Sequence, residues 1–341
     1  MNPTSDAPNP AAIQELLEAF RRSKVMFAAV SLGVFDALRG GAASSGDLAT
    51  RLACHPSSCE RLLNACVSLG LLARKNNQYE NTPTAAAYLT SDSPQRMTGY
   101  VGYSNDIMWK LWANLEDAVR EGDHRWKQTF GWDGPIFSHF YRTEEAKREF
   151  LMGMHGFGVL SSPEVVKAFD LSRFKLLVDL GGATGHLPIA ACRQYPHMRG
   201  VVFDLADAAP LAREIIAEAG MTDRVEIASG DFFADELPEA DLYALGRILH
   251  DWSEDKIHKL LARIYDRLPA GGGLLIAEKL LNDDKTGPRW AHMQDLNMLS
   301  CTEGRERTLA EYTALLKHAG FAEVAGQVTQ SPLDAVLALK A

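Results

Sequence analysis

The groups best suited to moving a proton stand at the end of one apolar run, where LYALG leads into Arg247-Ile248-Leu249-His250-Asp251-Trp252. Ligands of open α/β sheets bind at the carboxyl ends of the strands, and His250 falls at such an end. A histidine there is suited to general-base work. Its ordinary pKa of about 6.5 lies near working pH, whereas a phenol, with a pKa of about 10, needs a base about 3 Å from its hydroxyl before it attacks. Two acids are candidates to orient the imidazole: Glu278 at the end of LLIAE, and Glu306 within Glu303-Gly304-Arg305-Glu306-Arg307-Thr308. A carboxylate that accepts the second ring N–H fixes the tautomer and stabilises the charged ring, and spacing leaves either acid able to do so. A different chemistry is open to the same histidine. With Asp251 and with His292, on a helical stretch at 291–299, it could form a two-histidine, one-carboxylate metal site.

The partner for such a base is indicated upstream, where residues 176–185 read LLVDLGGATG. An apolar run carries Asp179 and breaks into a turn at Gly181, Gly182 and Gly185, and a helical pattern follows at once. Glycine lets a backbone approach a ligand where any Cβ would collide. A dinucleotide turn wants G-x-G-x-x-G, and no register of GGATG supplies it. The D-x-G-x-x-x-G arrangement suits S-adenosylmethionine, which has no pyrophosphate to cradle. Asp204 ends VVFD, 19 residues after Gly185, where an acid can accept both ribose hydroxyls of an adenosine. Gly230-Asp231-Phe232-Phe233 follows the next run. Asp231 can accept a hydrogen bond from the adenine amino group while Phe232 stacks on the ring.

These residues require a doubly wound sheet to hold them. From residue 176 the rhythm is strand–helix, with strands expected at 176–180, 200–204, 225–228, 242–246 and 273–278, and helices beginning near Leu187, Ala208, Ser253 and Leu309. The strands are short apolar runs, as expected when helices cover both faces. Two late strands, at 322–329 and 334–339, are expected to close the sheet as a hairpin. Residues 12–110 read differently. Helical spacing runs through AIQELLEAFRRSKVMFAAVSLGVFDAL, punctuated by Gly33. A helix opens at Ser44-Ser45-Gly46-Asp47, another is expected to start with a capping box from Ser57 to Glu60, and a small hairpin spans residues 72–81. Three helices and a hairpin make a winged-helix plan. The 341-residue chain carries a net charge of −9, which argues against nucleic acid, so the plan is read as a dimerisation module. Between the two parts lies a helical connector rich in Trp, Phe and Met, from Trp109 through Phe137 to Phe157, most of it core and a minority lining an aromatic-friendly pocket.

The remaining features bound the setting. The stretch MNPTSDAPNPAA has neither the basic start nor the apolar core of a signal peptide and reads as a loose tail. No apolar run reaches membrane-spanning length. The five cysteines, Cys54, Cys59, Cys66, Cys192 and Cys301, are odd in number and irregular in spacing, which suggests neither a disulfide framework nor a zinc site. The expected compartment is the cytoplasm.

Taken in order, the landmarks SLGVFD at 31–36, DAVREG at 117–122, DLGG at 179–182, VFD at 202–204, GDFF at 230–233, LPEADLY at 237–243, LHDW at 249–252, LNML at 296–299 and TEGRERT at 302–308 resemble the small-molecule O-methyltransferases of the plant and bacterial type, and within them the acetylserotonin branch. The resemblance implies an α/β fold. A winged-helix-like dimerisation domain, residues 1–105, precedes a connector and a Rossmann-like methyltransferase domain, residues 106–341, whose mostly parallel sheet has an antiparallel last strand. It implies a homodimer, S-adenosylmethionine as cofactor, and a small acceptor with no role for nucleic acid or membrane. His250 is implied as the general base flanked by Glu278 and Glu306. Asp179, Gly181, Asp204, Asp231, Phe232 and Arg247 are implied at the cofactor, with Gly181 at its methionine end, and Arg247 is implied at the acceptor as well. Met154, Asp251, Asn297 and Met298 are implied at the acceptor. The chain departs from the pattern at Ala183, where many members have a third glycine, and at His292 and Asp295. His292 keeps in view a related branch that methylates the carbon of 2-oxo acids with a histidine-held metal.

Overall fold

The computed structural model describes residues 9–134, 138 and 140–341, so that residues 1–8 and Phe137 lie outside the described part. The chain divides into two compact units, Met1–Asn105 and Asp106–Ala341.

In the first unit a long helix, Ala11–Ser31, ends where Gly33 takes a left-handed φ of 76° and turns the chain into the short helix Val34–Ala37. Ser44 caps the helix Ser45–Arg51 by accepting from the Asp47 N–H. The capping box expected from Ser57 to Glu60 does not form. The helix Pro56–Ser68 starts ahead of Ser57, with His55 at its N-cap and no side-chain cap. Proline at the first helical position has a preset φ and no N–H to satisfy, so Pro56 sets the start. The expected hairpin is present as β2 (Leu72–Lys75) and β3 (Gln78–Asn81), turned by Asn76 and Asn77 with φ of 50° and 61°. Both turn residues are left-handed, as a two-residue hairpin requires. A two-residue strand, β1 (Ala43–Ser44), joins them in the order β1-β3-β2, and its brevity hides it from any periodicity. On the first helix Ile13, Leu16, Leu17 and Phe20 are exposed, at 53–70% of their surface.

The second unit is built on a seven-stranded sheet, β4 (Leu176–Leu180), β5 (Arg199–Asp204), β6 (Val225–Ser229), β7 (Leu242–Gly246), β8 (Gly273–Glu278), β9 (Glu323–Gln327) and β10 (Asp334–Leu339). Its order is β6-β5-β4-β7-β8-β10-β9. The pairs among β4 to β8 are parallel, and β10 is antiparallel to both neighbours. The closing hairpin of the sequence reading is thus the sheet's edge. Successive β4 residues point to opposite faces, as strand geometry dictates. Val178 and Leu180 pack with Tyr243, Leu245 and Ile276 beneath the helices Glu254–Arg267 and Leu309–His318. Leu177 joins Leu242, Ala244 and Leu275 against Val165, Val166 and Leu187 on the other side. With both faces covered, the alternation of polar and apolar residues disappears and only the apolar run remains, which is why these strands are visible in sequence.

The consequence for function is directional. Parallel strands place their carboxyl ends at one edge, and the loops bearing Gly181, Asp204, Asp231 and Arg247 all leave from it. The order of strands reverses between β4 and β7, the point at which such sheets open a crevice. Among the described residues no helix is long and apolar enough to cross a membrane.

Candidate active site

The crevice begins with the glycine turn. Gly181 has a φ of 72°, and a Cβ there would stand 2.5 Å from Ile248 Cδ1. Only glycine lets the turn after β4 meet the loop after β7. Ala183 is left-handed as well, with φ of 46°. Its N–H donates to Asp204 Oδ2 at 2.7 Å, while Leu205 N–H donates to Oδ1 at 2.7 Å. The methyl group at position 183 therefore costs backbone strain and leaves the turn closed onto Asp204. Burial pushes the Asp204 carboxyl up to about 6, against the pull of those two donors. Burial, then Asp204, raises Asp179 well above the carboxylate range. Asp231 Oδ1 accepts from Phe233 N–H at 2.8 Å, a local turn that orients the loop. Phe232 lies 3.5 Å from where a Gly181 Cβ would stand, and its ring is 4.8 Å from that of Phe233. A bare backbone cradle, an acid after β5, and an acid and an aromatic ring after β6 fit a nucleoside with no phosphate.

His250 sits in a single 3₁₀ turn, Leu249–Asp251, and is 2% exposed. Its Nδ1 pairs with Glu306 Oε1 at 2.6 Å. Glu278 does something else. Its Oε1 accepts the backbone N–H groups of Ile248, Leu249 and His250 at 3.1, 2.7 and 3.2 Å, and its Oε2 accepts the Tyr312 hydroxyl. The two acids that spacing could not separate thus divide the work: Glu306 meets the ring, and Glu278 meets the main chain that carries it. Burial pulls the imidazole pKa down, but the carboxylates of Glu306, Asp251 and Glu278 outweigh it and push His250 up to about 9. Asp251 Oδ1 lies 3.7 Å from His250 Nε2, beyond a hydrogen bond, and burial raises its own carboxyl to about 6. With Nδ1 committed to Glu306, Nε2 is the nitrogen left to take a proton.

Around this pair the sequence reading missed several supports. Asp295 Oδ1 accepts the Glu306 N–H at 2.9 Å. Arg307, 1% exposed, donates from Nη1 to the Leu249 carbonyl at 3.3 Å. Tyr312 is buried and carries no local signal beyond its place in an amphipathic helix.

The residues expected at an acceptor come from the loop after β7 and from two helices. Arg247, left-handed at φ 59°, holds its guanidinium 5.2 Å over the Phe157 ring, and that ring stacks on Trp290 at 5.9 Å. Met154 lies one turn before Phe157 on the helix Glu144–Lys167 and is half-buried. On the helix Arg289–Cys301, Asn297 Oδ1 accepts from Trp112 Nε1 at 2.8 Å, and Met298 is 3% exposed. Phe157 is buried, Trp112 is half-buried and Trp290 is exposed. Nothing in their spacing separates them from the other aromatic residues.

The metal arrangement of the sequence reading does not assemble. Among the described residues, one His/Cys/Asp/Glu group brings its ligand atoms within 4.8 Å of one another, and it consists of His250, Glu278 and Glu306. His292 is half-buried and outside it. Glu278 spends its oxygens on four hydrogen bonds, and Glu306 Oε1 holds the imidazole. The oxygens of Glu278 are thus taken by hydrogen bonds, while Glu306 Oε2 is buried with no hydrogen-bond partner.

Known proteins resemble this chain in sequence and in fold. The O-methyltransferase domain family matches residues 112–322, and the O-methyltransferase dimerisation domain matches residues 14–91. Bovine acetylserotonin O-methyltransferase is 41% identical over 335 residues, 96% of this chain and 97% of that protein. The 3-hydroxy-5-methyl-1-naphthoate 3-O-methyltransferase of Streptomyces sahachiroi is 39% identical over 92% of this chain and 90% of that protein. The chain spans 54% of the length of a human probable bifunctional dTTP/UTP pyrophosphatase/methyltransferase protein, with 41% identity. In structure, human N-acetylserotonin methyltransferase in complex with SAM matches with a TM-score of 0.93 at 36% identity, over 100% of this chain and 99% of that one. The chain belongs to the O-methyltransferase family, with S-adenosylmethionine as its cofactor.

Proposed function

We propose that this protein moves the methyl group of S-adenosylmethionine to the hydroxyl oxygen of a small aromatic acceptor, with His250 as the general base. The observation that carries the reading is the buried His250–Glu306 pair at the carboxyl end of β7, one loop away from the glycine turn. When bound, the cofactor supplies an electrophilic methyl on a sulfonium. Asp204, Asp231 and Phe232 would hold its nucleoside, Gly181 would lie at its methionine end, and Arg247 would face the cofactor or the acceptor. His250 Nε2 takes the hydroxyl proton as the oxygen attacks, and Glu306 stabilises the imidazolium that results. Base assistance of this kind contributes about 10²–10⁴-fold, and holding the reactants in line contributes up to roughly 7–11 kcal/mol in ideal cases.

An aromatic acceptor suits the side chains of Met154, Phe157, Trp290 and Met298, and the acetylserotonin and naphthoate relatives act, by name, on ring-bearing molecules. The dimerisation domain, together with the exposed apolar residues Leu16 and Leu17, supports a homodimer. The free thiols Cys54, Cys59, Cys66, Cys192 and Cys301 suit a reducing compartment, and the cytoplasm is the expected one. The test is incubation of the purified protein and donor with a panel of phenols and 2-oxo acids, read by mass. Methylation of a phenol that survives a chelator is the expected result. Methylation confined to 2-oxo acids and abolished by the chelator would overturn the reading.

A further inference from the structure

One polar cluster at the crevice takes no part in proton transfer. The helix Glu144–Lys167 turns His155, Gly158 and Ser162 toward the glycine turn, at the i, i+3, i+7 spacing of a single face. His155 Nδ1 pairs with Thr184 Oγ1 at 2.8 Å. Ser162 Oγ pairs with His186 Nδ1 at 2.9 Å. The His186 ring lies against the bare backbone of Gly158, where a Cβ would come within 2.2 Å of the ring. His186 is therefore held tightly against this helix and remains half-buried.

Its protonation state follows from these contacts. Among the described residues, the Ser162 hydroxyl has the His186 ring nitrogen as its hydrogen-bond partner. A buried hydroxyl needs an acceptor, which makes Nδ1 the acceptor and leaves the proton on Nε2. Burial first, then His155 and Arg247, holds the ring pKa down to about 3, so the ring is neutral and a donor through Nε2. Both charged groups acting on His186 are basic. The positive charge of Arg247 also acts on Asp251 and Glu306, yet its Nη1 is buried with no hydrogen-bond partner. An unpaired guanidinium N–H in the interior is costly unless a ligand completes it.

The place of the cluster indicates the ligand. Thr184 and His186 follow β4 and Arg247 follows β7, the two strands between which the sheet reverses. Asp204 and Asp231, read as the adenosine contacts, follow β5 and β6 on the other side of β4. A donor whose nucleoside lies over β5 and β6 extends its amino-acid end back toward β7, and the one anionic group it carries is the α-carboxylate. We propose that the His186 N–H, fixed by Ser162, and the Arg247 guanidinium together grip that carboxylate, with His155 steadying the turn through Thr184. The proposal rests on the cofactor reading above and names the residues for its amino-acid end.

The test measures binding by calorimetry with three ligands: S-adenosylhomocysteine, its analogue lacking only the carboxylate, and 5′-methylthioadenosine, which lacks the amino acid. In the wild-type protein, loss of the carboxylate should weaken binding about tenfold to a hundredfold, the range of one or two charge-assisted hydrogen bonds. His186→Leu should weaken S-adenosylhomocysteine about tenfold or more and leave the other two ligands within about twofold, and His186→Gln should recover most of the loss by supplying a neutral N–H. Equal weakening of all three ligands in His186→Leu would reduce the histidine to support for the turn. A wild-type protein indifferent to the carboxylate would overturn the proposal without any variant having to fold. Failure of the wild type to bind S-adenosylhomocysteine at all is a separate outcome and removes the cofactor reading itself.

Discussion

Replacing Glu306 with Gln should change how activity depends on pH, because it removes a charge and keeps a shape. Gln retains an oxygen to accept the His250 Nδ1–H now paired with Glu306 Oε1 at 2.6 Å, so the tautomer survives. The negative charge that holds the imidazole pKa up is lost. In the wild type, burial pulls that pKa down, and Glu306, followed by Asp251 and Glu278, pushes it up to about 9. A base must be neutral to accept a proton, and a group with its pKa near 9 is about one part in a hundred neutral at pH 7. Activity should therefore rise with pH, about tenfold per unit, and level off near 9. Without Glu306, burial dominates and the pKa falls toward or below the ordinary value of about 6.5. The variant's profile should then be flat from about pH 7 upward. Its plateau should be lower by about ten- to a hundredfold, because a less basic imidazole recovers less of the 10²–10⁴ that general-base assistance provides. The assay is kcat/KM across roughly pH 6 to 10 with a phenol whose own pKa, about 10, lies at the top of that window. A flat wild-type profile across that window, or a variant that keeps its limb near 9, would refute the argument that Glu306 sets the basicity of His250.

Three further outcomes follow from the same geometry. His250→Ala should bind S-adenosylhomocysteine within about twofold of wild type while turnover falls about 10²–10⁴-fold, and unchanged turnover on a phenol would remove His250 as the base. Asp204→Asn should weaken cofactor binding about tenfold or more, by substituting an amide for the acid expected on the ribose, and slow the bound complex much less; calorimetry showing unaltered affinity would exclude that role. Tyr312→Phe removes the hydroxyl that Glu278 Oε2 accepts. It should cost about 1–3 kcal/mol of stability by thermal melting and lower kcat several-fold with KM unchanged, since Glu278 holds the main chain of the turn bearing His250. A lower melting temperature with kcat intact would make Tyr312 a core residue only.

What the residues alone determined was the sheet and the edge at which chemistry gathers. Buried parallel strands are apolar runs, and here they stop at glycine or an acid, so the bounds of β4, β7 and β8 were readable, and with them the sites of Gly181, Asp204, Asp231 and His250. Tertiary structure decided what each acid does. Glu278 and Glu306 lie 28 and 56 residues beyond His250, and which of them meets the ring depends on how two loops close in space, a choice that no local pattern encodes. The same holds for His292, which lies outside the group formed by His250, Glu278 and Glu306, and for His186, whose ring packs against a glycine and pairs with a serine one helix away. Local physics sets where a strand ends; long-range packing sets which side chains meet there.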